Sequence, residues 1–307
     1  MAAPLTVRTA GADGTDADTV RALAERASAE AGSPVLNEQS LIALSGATDT
    51  APLVLIALAG QAGGEPVGAA VVELGPDAST VELVLPDGPA ASAAGPALLD
   101  ALLGQVTDER PVLLWAHGRG SRTTPLAEAR GLPRTRELYV LARPGDRPVA
   151  DAPLPPGVQL SSFRPGVDDA EWLAVNAEAF ADHAEQGRWS AADLRARMDE
   201  PWFDPAGFLL ARRADTGQLL GFHWTKTERA HPDGPIDSGE VYVIGVARAA
   251  AGLKLGSALL AAGLRHLAEL GAPVVYLYVD GDNVGARALY ANRGFVEHNL
   301  DVCFRLR

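Results

Sequence analysis

The 307-residue chain has one cysteine, Cys303, so no internal disulfide can form and a stapled secreted scaffold is excluded. Lysine is almost missing: Lys226 and Lys254 are the only two among 26 basic side chains. With 39 acidic residues the net charge is −13, the wrong sign for gripping a phosphate backbone, and nucleic acid is not an expected partner. A small basic pocket for a phosphorylated cofactor is still compatible with that charge. Long hydrophobic runs are absent too. The most apolar stretch, Pro52–Ala59, is too short to span a bilayer and stops at Gly60. The leading MAAPLTVRTA has no basic region followed by an apolar one, so the expectation is a cytoplasmic protein with no membrane partner. The histidines have no metal-ligand spacing, and no Walker, Rossmann or Gly-x-Ser-x-Gly pattern occurs in a fitting context; no metal is expected.

What is present is ordinary globular material, 47% hydrophobic and 21% charged, in a chain long enough for two domains. Five prolines and no apolar periodicity mark Arg143–Gly157 as a linker. The expected division is therefore residues 1–142, a linker 143–157, and residues 158–307. In the second half, strands are expected at Gly207–Arg213, Gln218–Thr227, Gly239–Ala247, Pro273–Val279 and Phe295–Leu306. Leucines at helical spacing predict a helix over Leu255–Leu270, and a short helix is expected at Val284–Asn292. The first half runs the same way, with strands at Pro52–Gly60, Pro66–Leu74, Thr80–Leu85, Pro111–Ala116 and Leu138–Ala142 and helices at Ala97–Val106 and Thr124–Ala129. At a constant offset of 163 residues, Leu126–Leu132 (LAEARGL) lies on Leu289–Phe295 (LYANRGF), which points to an internal duplication.

Strand, Gly/Ala loop, helix, strand, Asn-containing turn, short helix, RGF, strand is an order that resembles the GNAT superfamily of acyl-CoA N-acyltransferases. The segments Val175–Trp189 (VNAEAFADHAEQGRW), Glu200–Leu210 (EPWFDPAGFLL), Leu219–Lys226 (LLGFHWTK), Gly239–Val246 (GEVYVIGV) and Leu277–Asn283 (LYVDGDN) are more specific. With Leu113–Gly118 and Arg134–Tyr139 they resemble the mycothiol synthase family of tandem acetyltransferases. The likeness covers most of residues 110–300 and is weak over the first hundred. It implies an α+β fold, a mixed sheet with flanking helices, in two tandem GNAT-like domains. It also implies acetyl transfer from acetyl-CoA to the cysteine amine of cysteinyl-glucosaminyl-inositol, a small-molecule thiol-sugar, by a chain expected to be monomeric.

On that resemblance Glu240 is the general base, since an amine nucleophile must lose a proton before attacking a thioester. The plain alternative is a solvated strand-edge carboxylate. Tyr290 would serve the departing CoA sulfur, against the alternative of a core aromatic; its repeat partner is Ala127. CoA contacts are implied for Ile244, Gly245 and Val246 on the strand, and for Ala251, Gly252, Leu253, Lys254, Leu255, Gly256 and Ser257 at the helix start, where amides and dipole favour pyrophosphate. They extend to Asn283, Val284, Gly285, Ala286, Arg287 and Ala288, where Asn283 also reads as a helix N-cap. In the first half, Leu83, Val84 and Leu85 occupy the corresponding strand. Acceptor contacts are implied for Glu38, Glu185, Lys226, Glu240 and Tyr278. His223 reads equally as a cleft residue or a packing one.

Two departures stand out. The superfamily's Arg/Gln-x-x-Gly-x-Gly/Ala loop appears here as Ala251–Gly256 (AGLKLG), with Lys254 in place of the first glycine, costly if that backbone needs positive φ. The first half has Gly120 where the second has Asn283, lacks the tyrosine, and is expected to be catalytically silent; replacing Glu82 there is expected to change little. Two rivals remain: another N-acetyltransferase of this fold acting on a peptide or aminoglycoside amine, and a CoA-binding protein without turnover.

Overall fold

The computed structural model describes residues 5–11, 14–46, 51–60, 63–88, 90–106, 110–181, 184–229 and 234–307. Two compact units emerge, one of residues 1–139, 280–282 and 299–307, the other of residues 140–279 and 283–298. These bounds differ from an expected division at 142/158, because residues 299–307, which include most of the last strand, count in the first unit.

The first unit runs β1 (Leu5–Ala10), α1 (Gly14–Ala31), α2 (Glu38–Leu44), β2 (Leu53–Ala59), β3 (Pro66–Leu74), β4 (Ser79–Val84), α3 (Ala91–Gln105), β5 (Val112–Ala116) and α4 (Thr123–Ala129). β6 (Arg134–Pro144) follows, and its last residues, from Val140, count in the second unit. The second unit continues with β7 (Val158–Ser162), α5 (Asp169–Ala179), α6 (Ala184–Gly187), α7 (Ala191–Met198), β8 (Phe208–Arg213), β9 (Leu219–Glu228), β10 (Ser238–Val246), α8 (Leu255–Glu269), β11 (Val274–Asp280) and α9 (Val284–Asn292). β12 (Val296–Arg305) closes the chain.

In the first unit β1 to β4 form an antiparallel meander, β4 and β5 pair in parallel, and β12 lies antiparallel on β5. Both faces of this sheet are covered. Leu55 and Ala57 of β2 join the α3 side with Leu98, Leu99 and Leu102, whereas Val54, Ile56 and Leu58 join the α1 side with Val20 and Leu23. That two-sided burial is why β2 reads as an unbroken apolar run rather than an alternating one. Val302 and Phe304 of β12 insert into the α3 core, which explains why this strand is retained there.

The second unit repeats the plan: β7 to β10 are antiparallel, β10 and β11 parallel, and the end of β6 lies beside β11. The α+β reading with a mixed sheet therefore holds in both units. Helix α8 buries Leu255, Leu259, Leu264 and Leu267 at the spacing that predicted it. Phe222 and Trp224 of β9 face the opposite side, packing with Trp172 of α5 and Leu194 of α7. The linker begins later than its prolines suggest. Arg143 is buried, at 2% exposure, and donates to the carbonyls of Arg293, Arg147 and Pro148, so the chain is anchored where an extended segment was expected.

Candidate active site

Glu240 sits where β10 leaves its parallel neighbour. Among the described residues β10 and β11 pair at Gly239–Val275 and Glu240–Tyr276, and the ladder ends there. On its other edge β10 stays paired with β9, Glu240 opposite Lys226, through a register shift between Val241 and Val243 and on to Val246 opposite Gly221. A bulge of this kind bends a strand and re-aims its side chains. Among the described residues Ile244–Val246 lie beyond the end of the β11 ladder, just past a half-buried carboxylate. Lys226 is 2.7 Å from the Glu228 carboxylate and stands over the rings of Trp202 and Tyr242, 5.1 Å and 5.7 Å from their centroids.

The chain then turns through an exposed loop, Ala251–Lys254, into α8. Lys254 has φ 58° and ψ 20°, the left-handed region, and no other non-glycine residue described has positive φ. A side chain carrying Cβ is strained there by about 1–2 kcal/mol. Lys254→Gly is therefore expected to raise stability by about 0.5–1 kcal/mol, the strain relief being offset in part by the extra freedom of glycine in the unfolded chain. Urea unfolding checks it, and a loss of stability would show that the ammonium group outweighs the strain. On the far side of the gap, Asn283 caps α9 by accepting from the Ala286 amide at 3.1 Å. About two helical turns further on, Tyr290 is buried at 7% exposure, its ring edge-on to Phe295. Burial pushes its phenol up to about 12, so it keeps its proton throughout the physiological range.

Residues 172–295, which hold all these elements, match the acetyltransferase (GNAT) family. The mycothiol acetyltransferase of Thermobispora bispora is 45% identical over 293 residues, covering 94% of this chain and 96% of its own length. That of Catenulispora acidiphila is 44% identical over 308 residues, covering 95% of each. The chain belongs to the mycothiol acetyltransferase family. It is an acetyl-transferring enzyme. Among solved structures, a tandem GNAT protein from the clavulanic acid biosynthesis pathway matches with TM-score 0.70 at 18% identity, over 99% of both chains. A GCN5-related N-acetyltransferase from Sphaerobacter thermophilus matches at 0.67 and 23%. At those identities the likeness is one of fold.

The other residues implied by the family resemblance are spread more widely. Tyr278 lies on β11 and is 46% exposed. Glu185 falls on α6, and its side chain is outside the described residues. Glu38 is in the first unit, half-buried at the first position of α2, next to the capping residue Asn37. His223 is a packing residue: it is fully buried under α8, its Nδ1 donates to the Leu259 carbonyl at 2.8 Å, and burial lowers its pKa to about 4.

In the first unit of this mycothiol acetyltransferase family member, the corresponding groove is tight. Leu83 and Leu85, at the end of β4, line a cavity of about 10 Å³ with Ala27, Ala31 and Val35. Gly120, which replaces the asparagine, lies so close to α1 that an added Cβ would stand 2.4 Å from the Ala31 carbonyl oxygen. Ala127 is fully buried. Glu82 is not a bystander. It is 1% exposed, accepts the Asn37 amide, and binds His117 Nε2 at 2.5 Å, while Asp301 of β12 holds His117 Nδ1 at 2.9 Å. Its carboxylate has a buried charged partner, so replacing Glu82 is expected to cost stability, whatever it does to turnover.

Sequence reasoning also missed Tyr242 and Arg197, whose side chains meet beside Lys226. Tyr242 is visible in GEVYVIGV, but only the bulge shows which way it points. Among the described residues no helix is long and apolar enough to cross a membrane, and no group of three or more His, Cys, Asp and Glu is placed to hold a metal ion.

Proposed function

We propose that the second unit transfers the acetyl group of acetyl-CoA to the cysteine amine of cysteinyl-glucosaminyl-inositol. The observation carrying this reading is the carboxylate of Glu240 at the last position of β10 that pairs with β11, so that the edge beyond it, past the end of that ladder, could serve a thioester. The close relatives named mycothiol acetyltransferase support the choice of acceptor.

Acetyl-CoA supplies an acyl thioester with a good leaving group. Ile244–Val246 would hold its pantetheine arm by backbone groups. The amides of Ala251–Ser257 at the start of α8 would take the pyrophosphate, with Lys254 adding a positive charge. The first turn of α9, Asn283–Ala288, would flank the arm. The residues present fit an anionic, extended ligand, since the loop is exposed and leads into a 15-residue helix.

Glu240 would remove the proton from the acceptor ammonium, directly or through a water. Backbone N–H around Ile244–Val246 would donate to the carbonyl oxygen as negative charge develops on it. Tyr290, still protonated well above neutral pH, would deliver a proton to the departing sulfur. Lys226 and Tyr278 would contact the sugar and inositol hydroxyls, for which charged and phenolic groups give directional hydrogen bonds. In the first unit, a second CoA along Leu83–Leu85 would require the small groove to open. We assign that unit a structural role.

Product analysis tests the reading. Mass spectrometry with thiol counting should find one acetyl group on nitrogen and the cysteine thiol still free. Acetylation on sulfur, or release of CoA without acetylated acceptor, would overturn it.

A further inference from the structure

The aromatic cluster beside Glu240 contains one buried cation that the proposed reaction does not use. Arg197 of α7 is 4% exposed. Its Nη1 donates to the Asp193 carbonyl at 3.1 Å, its guanidinium lies 3.9 Å from the centroid of Trp189, and its Nε donates to the Tyr242 hydroxyl at 2.8 Å. Tyr242 in turn is the residue inside the β10 register shift. Its ring meets Trp202 at 4.9 Å, Trp224 at 5.3 Å and Trp189 at 6.2 Å.

A bulge residue has no single partner across the ladder, so its backbone is held less firmly than its neighbours'. Something must fix it if the residues on either side are to keep a set relation. Here the side chain does so. The tyrosine ring is packed on three tryptophans, and its hydroxyl is tied to a guanidinium that is itself stacked and hydrogen-bonded to its own helix. A charged donor to a neutral oxygen in a desolvated cluster is among the stronger hydrogen bonds available.

We infer that Arg197 is a positioning residue: by holding the Tyr242 hydroxyl it fixes the β10 bulge, and with it the placement of Glu240 relative to the Ile244–Val246 edge. Arg197 acts through Tyr242 and touches no reacting atom. The consequence is a link from α7 to the catalytic strand. The capping box at Ser190 and Asp193 that starts α7 also steadies the carbonyl to which Arg197 is tied. The inference rests on the reading of the second unit as the acetyl-transfer centre, and its test separates the two.

The variants are Tyr242→Phe, which keeps the ring and removes only the hydroxyl, Arg197→Met, Arg197→Lys and the double variant Arg197→Met/Tyr242→Phe. Turnover of acetyl-CoA with cysteinyl-glucosaminyl-inositol should fall roughly 10–100-fold in kcat for each of the first two, the usual consequence of a small misplacement of catalytic groups. KM for acetyl-CoA should stay within about threefold, because the cofactor loop is untouched. The double variant should be no slower than Arg197→Met alone, since that variant already breaks the hydroxyl bond that Tyr242→Phe removes, and Arg197→Lys should recover part of the loss. Hydrogen exchange should accelerate in the segment 238–247 while 255–269 is unchanged. A wild-type kcat in Tyr242→Phe, or losses that multiply in the double variant, would overturn the inference. If the wild-type protein leaves the cysteinyl acceptor untouched, the proposed function fails, and the exchange comparison alone decides the clamp: unchanged exchange in 238–247 refutes it.

Discussion

Replacing Glu240 with Gln is expected to lower turnover by roughly 10²–10⁴-fold while acetyl-CoA affinity stays within about twofold. The amide preserves the shape of the side chain and its place opposite Lys226 and beside Tyr276. What it loses is the ability to accept a proton. An α-amino group with pKa of roughly 7.7–8.0 is mostly ammonium at neutral pH and cannot attack until it is deprotonated. The deficit should therefore shrink as pH rises past that value, because solvent then supplies the free amine. Steady-state rates of wild type and variant from pH 6.5 to 9.5, with acetyl-CoA binding measured separately, check both parts. Equal turnover at neutral pH would remove Glu240 as the base.

The second large effect is on stability and lies in the first unit. Burial alone would push the His117 imidazole down, but the charge of Glu82 and hydrogen bonds to Asp301 and Glu82 raise it to about 10. A histidine held charged above its ordinary pKa contributes its full stabilisation below about pH 6.5 and loses it progressively as pH rises towards 10. The urea midpoint of the protein should accordingly fall across that window, and His117→Asn should flatten the dependence. Glu82→Ala, which leaves a buried cation short of a partner, should cost about 3 kcal/mol. A pH-independent midpoint, or a Glu82→Ala variant as stable as wild type, would contradict the buried ion group. The group also joins β4, β5 and β12, so its loss should expose the closing strand first.

The two halves differ in how much of this was legible. In the second unit, Val284–Asn292 and the leucine ladder of α8 appear as expected, because turn glycines and helical periodicity are local signals. The helix α1 escaped notice, since its buried face is largely alanine, with Ala17, Ala24 and Ala27 beside Val20 and Leu23. The destination of β12 could not be read, since pairing with β5 joins residues far apart in sequence: Asp301 and His117 are 184 positions apart. At the candidate site, Glu240 and Tyr290 are proposed on family likeness, not on pattern. A lone glutamate in a β-branched strand and a tyrosine on a short helix carry no periodic signature of their own. The strain at Lys254 was visible as a missing glycine, and the left-handed backbone confirms why glycine suits that place. The Arg197–Tyr242 contact needed coordinates, since 45 residues separate its members.

A cysteine amine, presented to Glu240 in the second unit, is the proposed acetyl acceptor. Parallel initial-rate assays of CoA release with cysteinyl-glucosaminyl-inositol and with glucosaminyl-inositol test it most directly. Rapid saturable release is expected with the first and only background hydrolysis with the second. Equal rates with both, or release with neither while acetyl-CoA binds tightly, would contradict it.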